Sequence, residues 1–227
     1  MWKIRFLGIC MLFLGQVLAQ ESTPLPVNTS YENWYYASRE KLYQSLLDRH
    51  YDVIFFGNSI TEHGPWQELI GRRYKIGNRG IGGDNTFGMN ARIENVAKHQ
   101  PKKIFLMMGI NDVGSSIPTS MIIDNYKKVV ETIQRVSPKT RIYIQSPLPL
   151  NESVLLYDYL KGKEVSVKAL IAGAREIAER YKLTYVDLNE VLAEDDVLKK
   201  EFTTDGIHIN IDAYKVWVTY LKHKRFL

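Results

Sequence analysis

From Asn33 onward the chain switches between two hydrophobic spacings. Asn33 to Arg49 sets apolar and aromatic residues three, four and seven apart among charged ones, the pattern of an amphipathic helix. Val53 to Gly57 has almost no polar alternation, as expected of a parallel strand buried on both faces. The same reading predicts a short second strand at Tyr74–Asn78 and a helix at Thr86–Lys98, ended by Pro101. An apolar strand at Ile104–Met108 and a helix at Ser120–Arg135, closed by Ser137-Pro138, come next. Arg141–Gln145 reads as a strand broken by Pro147 and Pro149, Val165–Tyr181 as a helix, and Leu183–Asp187 as a fifth strand. Asn210 is placed to cap a last helix running to about Lys222. Strands interleaved with helices predict one α/β domain over residues 33–227, a three-layer α/β/α sandwich around a five-stranded parallel sheet. Such sheets bind ligands at the carboxyl ends of their strands, so every candidate residue is judged by whether it follows a strand.

The first 19 residues stand outside this pattern. Lys3 and Arg5 precede an apolar run from Phe6 to Leu18, and Val17-Leu18-Ala19 then offers small residues before Gln20. Residues 1–19 are therefore expected to be a secretory signal peptide, the run being too short for a membrane span. Leu7-Gly8-Ile9-Cys10 invites a lipid-attachment reading, but Ile9 is bulky where that signal wants a small residue. Residues 20–32, rich in Pro, Ser, Thr and Asn, read as a linker. The protein is expected to be exported, periplasmic or secreted, with no stable membrane insertion after cleavage. Cys10 is the only cysteine, so the processed chain would have none, which excludes disulfides, thiolate metal sites and a cysteine nucleophile. The formal charge of the full chain is +5. Its dense basic cluster, Lys222-His223-Lys224-Arg225, reads as a helix end, so no nucleic-acid partner is expected.

Four stretches lie after a strand or where the chain can return to that edge: Gly57-Asn58-Ser59-Ile60-Thr61, Asn78 to Asn85, Gly109-Ile110-Asn111-Asp112 and Asp205-Gly206-Ile207-His208. A serine hydroxyl is a weak nucleophile and needs a base. His208 suits that role because imidazole titrates near neutral pH, and Asp205, three residues earlier, is near enough to orient its other nitrogen. A tetrahedral intermediate needs fixed donors, and the Ser59 N–H, a glycine N–H such as that of Gly83 and the Asn111 amide are candidates. No third metal ligand stands at sensible spacing from Asp205 and His208, and the glycine-rich stretch fits neither a P-loop nor a dinucleotide fingerprint. His50, His63, His99 and His223 read as surface or structural, with His63 close enough to Ser59 in sequence to border a pocket. Residues 148–162 form an irregular insert whose Tyr157 and Tyr159 pack as loop residues or, alternatively, flank a sugar or acyl group.

These four blocks, in this order, resemble those of the SGNH hydrolases, a branch of the GDSL esterase/lipase superfamily with a flavodoxin-like fold, and Ser59, Gly83, Asn111 and His208 match the residues that name it. The stretches GIGGDNT and MGIND are similar to the platelet-activating-factor acetylhydrolase-like subgroup, which includes exported bacterial acetylesterases acting on carbohydrates. The resemblance implies Ser59 as nucleophile, His208 as base, Asp205 as orienter, and Ser59 N–H, Gly83 N–H and Asn111 as oxyanion donors, without metal or cofactor. The chain departs from the family at Asn58, where an aspartate is usual; the turn is kept and a charge beside the nucleophile is lost. The function implied is an exported serine esterase removing short acyl groups, acetyl foremost, from a carbohydrate such as sialic acid or a plant polysaccharide. A lipid esterase and an inactive carbohydrate-binding module on the same fold are the alternatives.

Overall fold

Strands β1 (Val53–Gly57), β2 (Ile76–Gly80), β3 (Lys103–Met107), β4 (Arg141–Gln145) and β5 (Thr184–Val186) form one parallel sheet in the order β2-β1-β3-β4-β5. The structure, a computed structural model, describes residues 27–227, so the expected signal peptide and residues 20–26 of the expected linker lie outside it. The helices are α1 (Trp34–Gln44), α2 (Ser59–Glu62), α3 (Trp66–Ile70), α4 (Thr86–Ala97), α5 (Ile110–Gly114), α6 (Thr119–Val136), α7 (Glu164–Arg180), α8 (Asn189–Leu192) and α9 (Ile211–His223). A two-stranded hairpin, β6 (Ala193–Glu194) and β7 (Val197–Leu198), completes the described elements. None of the described helices is long and apolar enough to cross a membrane.

Both faces of the sheet are covered, as the unbroken apolar strands require. On one face Phe55, Phe105 and Tyr143 stand in register on adjacent strands, with ring centroids 4.9 and 4.5 Å apart. Trp66 of α3 stacks on Phe55 at 4.0 Å and meets Trp217 of α9 edge-on at 4.9 Å. The other face takes Met89, Ile93 and Val96 of α4 and Ile122, Tyr126, Val129, Val130 and Ile133 of α6, all buried. Between β1 and β3 the chain reverses the direction in which strands are added, and the crevice at their carboxyl ends is where ligands bind in sheets of this order.

Most expected boundaries move by a residue, and some by more. The first helix ends at Gln44 rather than Arg49, because residues 45–49 tighten into turns: Leu46 N–H donates to Tyr43 O and Leu47 N–H to Gln44 O. The second strand is Ile76–Gly80 rather than Tyr74–Asn78, since its register follows backbone pairing with β1 and not apolarity; Phe55 pairs with Asn78 and Gly57 with Gly80. The fifth strand is shorter than expected. Within the expected linker, residues 27–32 carry no helix or strand, yet Ser30 O accepts the Asn85 side-chain amide and Tyr31 packs edge-on against Tyr36 at 5.1 Å.

Candidate active site

At the tip of β1 the chain must turn sharply. A Cβ on Gly57 would lie 2.2 Å from Thr61 Oγ1 and 2.6 Å from Met107 O, so only glycine lets the turn pack this closely. Asn58 caps α2, its Oδ1 accepting the Ile60 N–H at 3.1 Å. Ser59 is the first residue of α2, where a backbone N–H has no partner within the helix. Ser59 Oγ lies 2.9 Å from His208 Nε2, although 149 residues separate them. On the far side of the ring, His208 Nδ1 lies 2.6 Å from Asp205 Oδ2. With Nδ1–H donated to the carboxylate, Nε2 is left to accept from the serine hydroxyl.

The Asp205–His208 turn is held from within and from outside. Asp205 Oδ1 accepts the His208 and Ile207 N–H groups at 2.7 and 3.1 Å. Burial raises the Asp205 pKa, but the hydrogen bonds from His208 and Ile207 outweigh it and hold the carboxyl below its ordinary range. Gly206 has φ +84°, and a Cβ there would meet Leu155 Cα at 2.6 Å and Asn151 O at 2.7 Å. Those atoms belong to the 148–162 insert, which also donates Asn151 N–H to Gly206 O and Leu156 N–H to Asp205 O. The insert is thus a shelf for the turn. Tyr157 donates its hydroxyl to Asp205 Oδ2 at 3.2 Å and stands edge-on to the His208 ring, while Tyr159 is half exposed.

Gly83 has φ +75° at the head of a turn that Asp84 N–H closes on Ile81 O. Opposite it, Gly109 (φ +105°) leads into α5, and a Cβ there would meet Leu170 Cδ1 at 2.6 Å. Asn111 on α5 donates one amide hydrogen to Asp84 O at 2.8 Å, leaving its second hydrogen for another acceptor. Asp112 braces the same crossing by accepting the Thr86 N–H and hydroxyl; burial pushes its carboxyl up to about 6, the Thr86 bonds pulling the other way. Beneath lies a fully buried ion pair, Arg92 Nε to Asp84 Oδ2 at 2.8 Å. Arg92 also donates to Arg79 O and Gly57 O, so one guanidinium joins the ends of β1 and β2 to the Gly83 turn.

The structure therefore brings Ser59, Asp205, His208, Gly83 and Asn111 to one edge of the sheet. His63 does border the site, its ring 5.3 Å from that of His208, and burial and then the charge of His208 lower its pKa. His99 is a buried structural group bonded to Arg49 O, and His50 and His223 are exposed. Arg92, Glu62 and the Tyr157 hydroxyl belong to the site's framework without any motif to announce them. Among the described residues no group of three His, Cys, Asp or Glu is placed to hold a metal. A cavity of about 590 Å³ opens at the other end of β1 and β2, lined by residues such as Arg49, His50, Arg72 and Lys75. It holds none of this chemistry.

A model of the GDSL-like lipase/acylhydrolase family matches residues 55–216. A GDSL esterase/lipase of Arabidopsis thaliana is 27% identical over 191 residues, covering 72% of this chain and 74% of that one. A solved structure from Streptococcus pneumonia, described as a platelet activating factor, superimposes with TM-score 0.72 at 30% identity, over 84% of this chain and 92% of that one. A carbohydrate acetylesterase from Sinorhizobium meliloti shares the fold with TM-score 0.63 at 16% identity, over 77% and 99% of the two chains.

Proposed function

The chain belongs to the GDSL-like lipase/acylhydrolase family and is an ester hydrolase; on that premise we propose that it is an exported serine esterase removing short acyl groups, acetyl foremost, from hydroxyls of a carbohydrate. The observation that carries the reading is the pair of contacts through one imidazole, 2.9 Å to Ser59 Oγ and 2.6 Å to Asp205 Oδ2. Ser59 attacks the ester carbonyl while His208 takes its proton and Asp205 balances the imidazolium. The oxyanion is received by the Ser59 N–H, the Gly83 N–H and the second Asn111 amide hydrogen. His208 hands its proton to the departing alcohol, the acyl group stays on Ser59, and water repeats the sequence to release the acid. Polar groups stand beside the site, His63 and Tyr157 flanking His208, which suits a polar substrate. A carbohydrate acetylesterase built on the same fold supports the substrate class. The basic, apolar and small-residue sequence of the first 19 residues supports export.

The test is hydrolysis of p-nitrophenyl esters of increasing acyl length by the protein and its Ser59→Ala variant. Activity that vanishes in Ser59→Ala and falls steeply beyond propionyl is expected, followed by acetate release from acetylated sugars. Rates that climb with chain length would make the protein a lipid esterase. Equal background rates for both proteins would leave only a binding role.

A further inference from the structure

Glu62 lies three residues past Ser59 on the same short helix and gathers three partners. Its Oε2 accepts the Gly82 N–H at 2.6 Å, and its Oε1 accepts the Tyr35 hydroxyl at 2.8 Å. Arg39 Nε stands 2.8 Å from Oε1, but its Nε–H makes no aligned hydrogen bond, so this contact is an ion pair by proximity. Tyr35 and Arg39 belong to α1, which precedes the stretch matched to the family. The same helix also holds the elements on either side of the turn, the end of β2 and the start of α4. Tyr43 accepts from Arg39 and donates to Gly80 O, and Tyr36 donates to Gly88 O.

Gly82 immediately precedes the Gly83 donor. A Cβ on Gly82 would stand 3.1 Å from Glu62 Oε2 and 3.9 Å from Ser59 Cβ, so Gly82 lies between the carboxylate and the Ser59 side chain. A carboxylate there has two opposed effects. Its bond to Gly82 fixes the turn that aims Gly83 N–H, and fixed donors are what an oxyanion needs. Its charge, with the Glu62 side chain only 10% exposed, opposes negative charge developing nearby unless a cation cancels it. Arg39 is that cation.

We propose that Glu62 positions the Gly82–Gly83 turn while Arg39 cancels the charge of Glu62, so that an arginine on the first helix governs turnover without touching the substrate. The proposal rests on Ser59 being the nucleophile. Its test is kcat and KM on a p-nitrophenyl acetate assay for Arg39→Met, Arg39→Lys, Glu62→Gln and the double variant Arg39→Met/Glu62→Gln, with thermal melts and Ser59→Ala alongside. Arg39→Met is expected to lose about tenfold in kcat with KM within about twofold, and Arg39→Lys to recover most of it. In the Glu62→Gln background, the Arg39→Met step is expected to cost less than about twofold, because no charge remains to cancel. A loss as large in that background, a loss in KM instead, or no loss in Arg39→Met would overturn the proposal. Should Arg39→Met not fold, Glu62→Gln decides alone. It keeps an acceptor for Gly82 and is expected to lose no more than about threefold, whereas a loss beyond about tenfold would show that the charge itself is needed. Activity surviving in Ser59→Ala would sink the nucleophile reading instead, a different failure.

Discussion

Replacing Arg92 by Met removes the cation from a wholly buried pair and leaves the Asp84 carboxylate without its partner. Such a loss costs about 3–5 kcal/mol at neutral pH. The structure divides that cost into two parts. One is independent of pH: Gly57 O and Arg79 O each lose a buried charged donor. The other belongs to Asp84, whose carboxyl burial pushes up to about 6 against the pull of Arg92. A folded pKa above the unfolded value means that the native state holds a proton the unfolded chain has released. Stability therefore falls as pH rises from the unfolded value, about 4, to the folded one. In the parent protein that fall ends near pH 6. Without Arg92 the folded value moves higher and the fall continues, widening the gap between the proteins by up to about 1.4 kcal/mol per pH unit. Urea unfolding at pH 5, 6, 7 and 8, followed by the fluorescence of buried Trp66 and Trp217, measures the gap directly. A gap the same size at pH 5 and pH 8, or smaller at pH 8, would refute the assignment of the buried charge to Asp84.

Asn111→Ala removes one proposed oxyanion donor and is expected to lower kcat about 10²–10³-fold; steady-state kinetics with near-normal kcat would dismiss that role. The two glycines of the turn separate cleanly. Gly83→Ala meets nothing within 4 Å and keeps its N–H, so it should cost only the backbone strain of φ +75°, about 1–2 kcal/mol, with kcat changed a few-fold. Gly82→Ala presses on Glu62 Oε2 at 3.1 Å, while 3.9 Å from Ser59 Cβ is ordinary contact, and it should harm kcat more than stability; kinetics and melts on both variants give the order. Asp112→Asn removes a carboxyl that burial holds near 6, so it should abolish about 3 kcal/mol of the fall in stability between pH 4 and 6, seen as a flatter pH profile of urea midpoints.

Strands whose side chains enter the core on both faces, such as Val53–Gly57 and Ile104–Met107, were legible because burial leaves a continuous apolar run. The second strand was less so. Arg79 is buried there between the rings of Tyr43 and Tyr51, each 4.7 Å away, and a charge sheltered by aromatics does not read as strand interior. The β6–β7 hairpin went unseen although Asp195 and Asp196 both take positive φ, the geometry of a tight two-residue turn; acidic residues signal it more faintly than Asn-Gly. Ser59, Asn111, Asp205 and His208 could be singled out because each follows a strand or a turn and carries its own chemistry, whereas Gly83 was chosen over Gly82 only through the family resemblance; the structure brings all five to one edge of the sheet. Glu62 and Arg92 were not legible, and Tyr157 was singled out only as a candidate flank to a sugar or acyl group, not as a partner of Asp205. Their contributions depend on what stands opposite them, and neither spacing nor residue type reveals that Glu62 faces Gly82 or that Tyr157 reaches Asp205.

The proposed nucleophile and its proposed base lie far apart in the chain, joined in the fold by the 2.9 Å contact and by Tyr214 of α9, whose hydroxyl bonds Ile60 O beside the serine. That separation sets a clock on the protein's birth. A chain made amino end first presents Ser59, Gly83 and Asn111 while His208 is still 149 residues behind the serine. At about 5–20 residues per second the delay is roughly 7–30 s. Throughout it the serine is an ordinary alcohol. On the proposed mechanism the chemistry begins only when the far end of the chain docks, so reactivity would report completed folding.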